Sequence, residues 1–409
     1  MKILVISQYF YPENFRINDI VTELVKRGHI VTVLTGLPNY PEGEIYPGYE
    51  KAYCDVSFYN GAKVYRCKLR PRHEGTKNLA LNYISFVKEA SKKLKSIKPD
   101  FDIIYFFEPS PITSGIPAVK YGRKHKIKTV IYNLDIWPDC VRDNRDGSVM
   151  SKHNPVYFMA KLLSKYVYKR FDIIINKCDE FGDYLEKELG ISSKKMKTIF
   201  EFAESNYLSV NEKPIDNGIV DFMFLGNIGK SQNCDQMVKA FSLIDNANTK
   251  LHFVGDGSYL GDLKKLVKNL NMESRVIFHG RHPLNEVVDF YNLADVCLLA
   301  LSNKTASGLT PPAKLPGYMA ACRPVIASIN GASKSIIEES NCGFVCPADD
   351  IDSLSKLIKK IIDNKDKINE LGSNGRRYFL EHFTLEKHID QLERQFQLII
   401  GGNCESLSN

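Results

Sequence analysis

A buried strand followed at once by a glycine-containing turn decides the fold of this chain: Phe222-Met223-Phe224-Leu225-Gly226-Asn227-Ile228-Gly229-Lys230-Ser231-Gln232-Asn233. Its first four residues are apolar without alternation, which is typical of a strand covered on both faces. Glycines let the backbone approach an anion, and N–H groups at a helix N-terminus point toward it. The stretch therefore predicts a strand–turn–helix unit that can bind phosphate. A tight turn that binds nothing has the same pattern, and the Gly-x-Gly-x-x-Gly dinucleotide spacing does not occur here.

The same strand–helix rhythm extends from this stretch toward both ends of the chain. Apolar residues fall at helical spacing between strand-like runs, as at Ile17, Ile20, Val21, Leu24 and Val25. Strands without alternation predict parallel sheets covered by helices on both faces. The strand-like runs lie at 2–7, 29–35, 63–69, 102–107, 128–134 and 172–176, and again at 220–226, 250–255, 275–280, 295–301, 324–329 and 343–346.

The rhythm lapses between about Glu201 and Gly218, where polar residues surround Pro214, and we interpret this segment as a linker. The sequence therefore predicts an α/β protein of two Rossmann-like, doubly wound parallel-sheet domains at residues 1–205 and 218–385, followed by a C-terminal helix and tail at 386–409. Ligands bind at the carboxyl ends of the strands in such sheets. Two facing domains thus predict an interdomain cleft suited to two substrates.

The composition is that of a globular protein, with 409 residues of which 44% are hydrophobic and 25% are charged. No apolar run reaches the ~18 residues that span a bilayer. The N-terminus runs directly into a strand pattern rather than a signal sequence, so we predict a cytoplasmic protein. The ten cysteines and nine histidines show no Cys-x-x-Cys or His-x-x-x-His spacing. No metal and no other cofactor is predicted.

The positive charge of the chain, +7 overall, is concentrated in two stretches. Residues 63–98 contain eleven Lys or Arg against two acids, and residues 158–170 alternate cations with apolar residues at helical spacing. Each cation near an anionic leaflet contributes about 1 kcal/mol of attraction. The pattern predicts peripheral contact with the inner face of the plasma membrane, and a solvated helix face is the alternative. No recognition motif accompanies the charge, so nucleic acid is not predicted as a partner.

A second segment, Thr310–Ser328, also points to phosphate. It consists of a loop, a short helix that begins after two prolines, and a buried strand. Ser307 and Thr310 precede the helix and can offer hydroxyl and N–H groups. Lys314 lies in the first turn, where a cation opposes the helix dipole. A lysine in that place needs an anion, and a diphosphate would serve.

With both segments in place, the chain resembles the retaining glycosyltransferase family 4, which has the GT-B architecture. Within it, the chain is similar to bacterial N-acetylfucosamine transferases of O-antigen and capsular polysaccharide synthesis. Each motif is short, but their order over nearly the whole chain is specific. The motifs are Met1–Glu13, Arg27–Pro41, Asp135-Ile136-Trp137-Pro138-Asp139, Gly226-Asn227 with Gln232, Gly255-Asp256-Gly257 and Lys314–Ser328.

The resemblance implies a role for each matching residue. Lys230, Lys314 and Asp135 are the expected catalytic residues, and Arg16, Asn18 and Trp137 are expected on the acceptor side. The substrates that it implies are a nucleotide-sugar donor, expected to be a UDP-sugar, and a lipid-linked or oligosaccharide acceptor. The donor is expected to contact Gly226, Asn227, Gly229, Gln232, Gly280, Arg281, Pro283, Ser307 and Thr310.

The implied mechanism differs from that of a glycosidase. A covalent intermediate would need two facing carboxylates, and the sequence does not place such a pair. The resemblance implies instead that positive charge and helix N-termini stabilise the leaving diphosphate. The family has two hallmark glutamates, of which the later binds the donor ribose. Leu309 and Gly317 occupy their positions here.

Two other functions stay open at this point. A nucleotide-sugar 2-epimerase has the same architecture but needs acid/base carboxylates and histidines in the cleft, and we cannot assemble that set from the sequence. A non-catalytic scaffold derived from a transferase would explain the missing glutamates. The donor sugar, the acceptor, the linkage and the oligomeric state are not encoded in any motif.

Overall fold

The computed structural model describes residues 1–73, 75–141, 151–212, 217–283, 286–302 and 312–401. Within them the chain divides into two compact units. The first holds residues 1–141, 151–199 and 389–401, and the second holds residues 200–388. Each unit is built on a sheet of its own. No helix in the described ranges has the length and hydropathy that a bilayer-spanning helix needs.

The first unit contains an eight-stranded sheet in the order β3-β4-β2-β1-β5-β6-β7-β8. All neighbouring strands are parallel except β3, which pairs antiparallel with β4 at the edge. The predicted parallel sheet is therefore confirmed with one antiparallel exception. Sequence patterns missed β3 because its side chains are largely exposed, and β8 because it has three residues. The strands are β1 Lys2–Ile6, β2 Ile30–Thr35, β3 Val56–Tyr59, β4 Ala62–Arg66, β5 Ile103–Glu108, β6 Lys128–Asn133, β7 Ile173–Asn176 and β8 Met196–Thr198.

Five helices of the first unit connect these strands. They are α1 Ile17–Lys26, α2 Thr76–Leu94, α3 Ile116–His125, α4 Pro155–Tyr168 and α5 Asp179–Leu189. Of the apolar residues of α1 predicted to face the core, four are fully buried and Val25 is partly exposed. Gly28, with φ +85°, follows the end of the helix. Positive φ costs little at glycine, so the chain can turn there into β2.

The second unit contains a six-stranded parallel sheet in the order β11-β10-β9-β12-β13-β14. Its strands are β9 Val220–Leu225, β10 Thr249–Val254, β11 Val276–Gly280, β12 Val296–Ala300, β13 Val325–Ser328 and β14 Gly343–Cys346. Its helices are α6 Cys234–Ser242, α7 Leu260–Asn269, α8 Val287–Leu293, α9 Lys314–Ala320, α10 Ala332–Ser340, α11 Ile351–Ile362, α12 Lys367–His382 and α13 Leu385–Ile400.

The last helix, α13, begins in the second unit and continues into the first. In the first unit, Leu392 and Phe396 are fully buried, and the Phe396 ring centroid lies 5.5 Å from that of Tyr105. Arg27 donates hydrogen bonds to Asp390 and Glu393. The part of this helix that lies in the first unit is therefore packed and ion-paired.

The segment interpreted as a linker packs against the second unit where it is described. Ala203 and Tyr207 are buried in the core of that unit, and the Ala203 N–H donates to the Phe383 carbonyl at 3.1 Å. Polar residues between these buried positions hid the contact from sequence patterns.

Candidate active site

The carboxyl ends of β9, β10 and β11 surround a cavity of about 530 Å³ in the second unit. Sites for small molecules have volumes of roughly 300–1,000 Å³. The position agrees with the rule that ligands of open α/β sheets bind at the carboxyl ends of the strands. The lining residues are Glu204, Tyr207, Leu225, Gly226, Asn227, Val254, Gly255, Asp256, Gly257, Arg281, His282, Val287, Tyr291, Ala313, Lys314 and Gly317.

Two glycine turns form one wall of the cavity and touch each other through their backbones. Gly226 has φ +138° and Gly255 has φ +142°. A Cβ atom added to Gly255 would lie 1.9 Å from the Gly226 carbonyl oxygen, and one added to Gly257 would lie 2.4 Å from the Ile228 carbonyl oxygen. No side chain fits at either position. The close packing brings bare backbone to the cavity, which is the property that an anion-binding turn needs.

Lys314 supplies a cation to this wall from the first position of α9. Its Nζ donates to Oε1 of Gln232 at 2.6 Å and lies 3.9 Å from the centroid of the Phe224 ring. Burial lowers the pKa of the ammonium to about 8. Within the part of the chain that the structure describes, it forms no ion pair. A partly buried ammonium that lacks a carboxylate partner favours an anionic ligand.

The other residues predicted for the donor fall into three groups. Asn227 and Arg281 line the cavity, as Gly226 does, and Gln232 contacts Lys314 directly. Lys230 and Pro283 are exposed and lie outside the lining, and Gly229 and Gly280 are also outside it, although each adjoins a lining loop. Ser307 and Thr310, together with Leu309, lie outside the described residues.

Glu204, Tyr207 and Tyr291 line the cavity beside Gly317, and none of the three is among the residues predicted for the site from the sequence. A Cβ atom on Gly317 would lie 3.2 Å from the Tyr291 hydroxyl and 3.3 Å from Cε2 of Tyr207. The two tyrosine rings are 5.1 Å apart and confine the space beside the glycine. The carboxylate on this part of the cavity comes from Glu204 instead. It escaped the sequence analysis because it belongs to the segment interpreted as a linker.

A histidine cluster holds the loop that carries Arg281. His252 is buried and contacts Asp221 through Nε2 and His279 through Nδ1, each at 2.9 Å. His282 reaches the His279 carbonyl at 3.1 Å and Glu286 at 2.8 Å. Burial lowers the pKa of His279, and the contact with Glu286 raises that of His282. The loop is therefore anchored on both sides of Arg281.

The residues predicted for the acceptor lie in the first unit, and Asp135 lies beside a second carboxyl group there. Its backbone N–H donates to Oε2 of Glu108, at the carboxyl end of β5, at 3.4 Å. Glu108 is fully buried, and Oε1 has no partner among the described residues. Burial, and secondarily the charge of Asp135, raise the pKa of Glu108 well above its usual value. The structure thus brings together two carboxyl groups that the sequence analysis could not place.

The remaining acceptor-side residues are largely engaged within the fold. Trp137 is buried, and its Nε1 donates to the Ser110 hydroxyl at 3.1 Å. Asn18 accepts from the Tyr11 N–H at 2.9 Å and donates to the Glu13 carbonyl at 2.7 Å. Arg16 precedes α1 and is partly exposed. Asn18 therefore shapes the loop after β1 rather than presenting a free amide.

No three His, Cys, Asp or Glu side chains within the described ranges lie close enough together to hold a metal ion. The cationic side chains that line the cavity are Lys314 and Arg281. Charge on a substrate can be countered there by an ammonium and by backbone N–H groups.

The two halves of the chain match two protein families. Residues 15–202 match the family described as Glycosyltransferase Family 4, and residues 209–378 match Glycosyl transferases group 1. A probable glycosyltransferase, WbjE, of Pseudomonas aeruginosa is 27% identical over 68% of this chain and 71% of its own length. N-acetyl-alpha-D-glucosaminyl L-malate synthase of Bacillus anthracis is 24% identical over 91% of this chain and 90% of its own.

Solved structures give the same fold. Sucrose-phosphate synthase of Thermosynechococcus elongatus superimposes with a TM-score of 0.76 at 16% identity, covering 98% of this chain and all of that one. Anabaena Alr3699/HepE, solved in complex with UDP, gives a TM-score of 0.70 at 14% identity, covering 97% of this chain and all of that one. These likenesses confirm the predicted GT-B fold of two Rossmann-like domains.

Proposed function

The chain is a glycosyltransferase of the GT-B type, and on this premise we propose that the cavity of its second unit binds the nucleoside diphosphate of a sugar donor. The observation that carries the proposal is Lys314, an ammonium with a lowered pKa, placed against the two glycine turns. Their backbone and the ammonium suit a diphosphate, whose charge increases as the sugar leaves. Stabilising such developing charge is usually the largest catalytic contribution of a site.

The nucleoside would extend from the diphosphate toward Arg281 on one side and Glu204 on the other. A carboxylate accepts hydrogen bonds from the two hydroxyls of a ribose, so Glu204 takes the part that a glutamate at the position of Gly317 would otherwise play. Glu204→Gln replaces a charged carboxylate acceptor with a neutral amide, and we expect UDP to bind about tenfold more weakly. Glu201→Gln, just upstream and outside the cavity lining, is the matched control.

The donor is proposed to be a UDP-linked N-acetyl-deoxyhexosamine, transferred with retention and without a metal ion. The Anabaena structure with UDP supports the base. Two relatives support an N-acetylated sugar by their names: the Bacillus anthracis synthase and a poly(ribitol-phosphate) alpha-N-acetylglucosaminyltransferase of Staphylococcus aureus. Lys314 would counter the negative charge of the diphosphate, as a divalent cation does in other transferases. Activity in excess EDTA tests this part separately.

The acceptor is proposed to be a lipid-linked or oligosaccharide chain of a bacterial surface polysaccharide. Asp135 would act on the acceptor side, where it can accept a proton from the attacking hydroxyl. The neighbouring Glu108 supports this role, because a protonated carboxyl group next to Asp135 leaves the negative charge on Asp135.

Helix α4 is proposed as the membrane contact. Val156, Phe158 and Met159 expose 63%, 60% and 58% of their surface, and basic Lys169 and Arg170 follow at the end of the helix. An exposed apolar face with flanking cations is typical of a helix that lies in a bilayer interface. We expect co-sedimentation with anionic vesicles and little with zwitterionic ones, and Phe158→Ser should weaken it. Equal binding to both vesicle types would contradict the electrostatic part.

A panel of UDP-, GDP- and dTDP-sugars tests the proposed reaction. We expect stabilisation by UDP compounds in a thermal-shift assay and slow release of UDP from UDP-N-acetylhexosamines in the absence of acceptor. Formation of UDP-N-acetylmannosamine from UDP-N-acetylglucosamine alone would instead show a 2-epimerase. Failure of every nucleotide to bind a folded sample would favour a non-catalytic scaffold.

A further inference from the structure

A second cavity, of about 490 Å³, lies in the first unit beside the antiparallel edge strand β3. It is formed where β4 ends, by the loop after β1 and by the segment that leads into β3. None of the residues predicted for donor or acceptor lines it. Its volume is in the range of roughly 300–1,000 Å³ that small-molecule sites have.

Aromatic side chains make up much of its wall. Tyr11 and Tyr59 have ring centroids 4.6 Å apart at an angle of 32°, and Tyr49 adds a third hydroxyl-bearing ring. Phe58 exposes 74% of its surface although it lies on an edge strand. An exposed aromatic residue at a sheet edge favours unwanted pairing with other chains. Phe58 also lines the cavity, so a ligand bound there would cover part of this exposed ring.

Arg66 lies against the aromatic wall and is nearly buried, at 3% exposure. Its guanidinium carbon is 5.0 Å from the centroid of the Tyr49 ring. Nη1 donates to the Gly36 carbonyl at 3.2 Å, and Nη2 donates to the carbonyl of Tyr11. Neither partner carries charge. Within the described ranges Arg66 has no carboxylate within ion-pair distance, and a guanidinium has five N–H groups, so donors remain for a ligand.

The charges around this cavity balance. Glu50 and Asp55 provide two carboxylates, and Lys51 and Arg66 provide two cations. A phosphate would be repelled by the two carboxylates, and an ammonium ligand would be repelled by the two cations. A neutral ligand rich in hydroxyls matches both, because each hydroxyl donates to a carboxylate and accepts from a cation.

We propose that this cavity binds a pyranose ring of a saccharide, with aromatic rings packed on the C–H face of the sugar and the charged groups bonded to its hydroxyls. The identification of that saccharide as part of the acceptor rests on the proposed function. The site is distinct from the donor cavity, which lies in the other unit. The cavity would select acceptors through a sugar ring that takes no part in the transfer reaction.

The test is saturation-transfer NMR and calorimetry of the full chain with maltotriose, cellotriose and chitotriose, and with inorganic phosphate as an anionic control. We expect at least one trisaccharide to bind and phosphate not to compete with it. Phe58→Ser should weaken that binding by about tenfold, the effect of losing most of one aromatic contact. Asp55→Asn, also at an exposed position, should weaken it several-fold through a lost charged acceptor.

Ile84→Ser is the matched control, since Ile84 exposes 63% of its surface in the same unit and does not line the cavity. It should leave trisaccharide binding unchanged, and all three variants should bind UDP like the wild type. Equal trisaccharide binding by wild type and Phe58→Ser would overturn the inference. So would UDP binding without binding of any trisaccharide, which leaves the proposed function intact. A chain that dimerises through β3, and becomes monomeric in Phe58→Ser without any effect on saccharides, would also overturn it.

Discussion

The carboxyl ends of the strands are equivalent positions in the two sheets, but the chemical groups found there differ between the two units. In the second unit, β9 and β10 end in glycines whose backbones touch, and the cation is Lys314. In the first unit, the corresponding edge holds the buried carboxyl groups of Glu13 and Glu108, which accept hydrogen bonds from backbone N–H groups. Burial raises the pKa of Glu13 to about 7, and it raises that of Glu108 well above its usual value.

Under the proposed function, this difference would let one architecture serve two substrates. A diphosphate is recognised by exposed N–H groups and by an ammonium, which need glycine and leave no room for side chains. The attacking group of the proposed acceptor is a neutral hydroxyl, which suits groups that can accept its proton. The four predictions below test whether each edge depends on the feature assigned to it.

The largest effect is expected from removing the cation of the second unit. Lys314→Ala should lower the turnover of a UDP-sugar by at least ~100-fold, the size of one lost transition-state donor. Lys230→Ala is the control, because that lysine is exposed and lies outside the cavity. Steady-state kinetics of the two variants and the wild type measure the loss of turnover in each. Equal losses in the two variants would favour the sequence-based assignment of both lysines over the geometry.

The contact between the two glycine turns predicts the next effect. Gly255→Ala places a methyl group 1.9 Å from the Gly226 carbonyl at a φ of +142°, so we expect a loss of about 2–5 kcal/mol in the free energy of unfolding. Gly261→Ala, in α7 with open space around it, should be neutral or stabilising by up to ~1 kcal/mol. Chemical denaturation of both variants measures the difference. Similar stabilities would mean that the two turns are not in contact.

Lys314 also predicts the pH dependence of donor binding. In the free protein, the Lys314 ammonium loses its proton as pH rises through a pKa of about 8. A bound diphosphate stabilises the protonated form, so the ammonium keeps its charge in the complex. The Kd for UDP should therefore be independent of this group below pH 7 and rise toward tenfold per pH unit above pH 8. Calorimetry of wild type and Lys314→Ala from pH 6.5 to 9.5 tests this, and the variant should lack the alkaline increase. A parallel increase in both proteins would assign it to another group.

The smallest effect is expected at the first unit's edge. Because burial raises the pKa of Glu108, the folded protein retains its proton after the unfolded chain has lost it. Glu108 thus stabilises the fold less and less as pH rises above the unfolded value near ~4.3. The free energy of unfolding of Glu108→Gln should lie within about 1 kcal/mol of the wild-type value at pH 5. Toward pH 8 it should increasingly exceed the wild-type value. A variant that loses stability relative to wild type as pH rises would show that Glu108 is ionised in the fold.

The sequence predicted most of the fold because buried parallel strands leave continuous apolar runs. It missed β3, whose exposed residues carry no such run, and it missed the antiparallel pairing that follows from it. At the site, glycines and Lys314 were predicted from local patterns. The hydrogen bond from Lys314 to Gln232, and the neighbourhood of Glu108 and Asp135, join residues far apart in the chain. No local pattern specifies such pairs, and Glu204 was hidden by its polar surroundings.

The most direct test of the account is a calorimetric titration of UDP into wild type and Lys314→Ala at pH 7 in excess EDTA. We predict one site per chain in the wild type without any metal ion, and binding weakened by at least tenfold in the variant, as expected for the loss of a charged partner of a diphosphate. No binding by folded wild type, or equal binding by both proteins, would contradict the claim that the cavity of the second unit is the donor site.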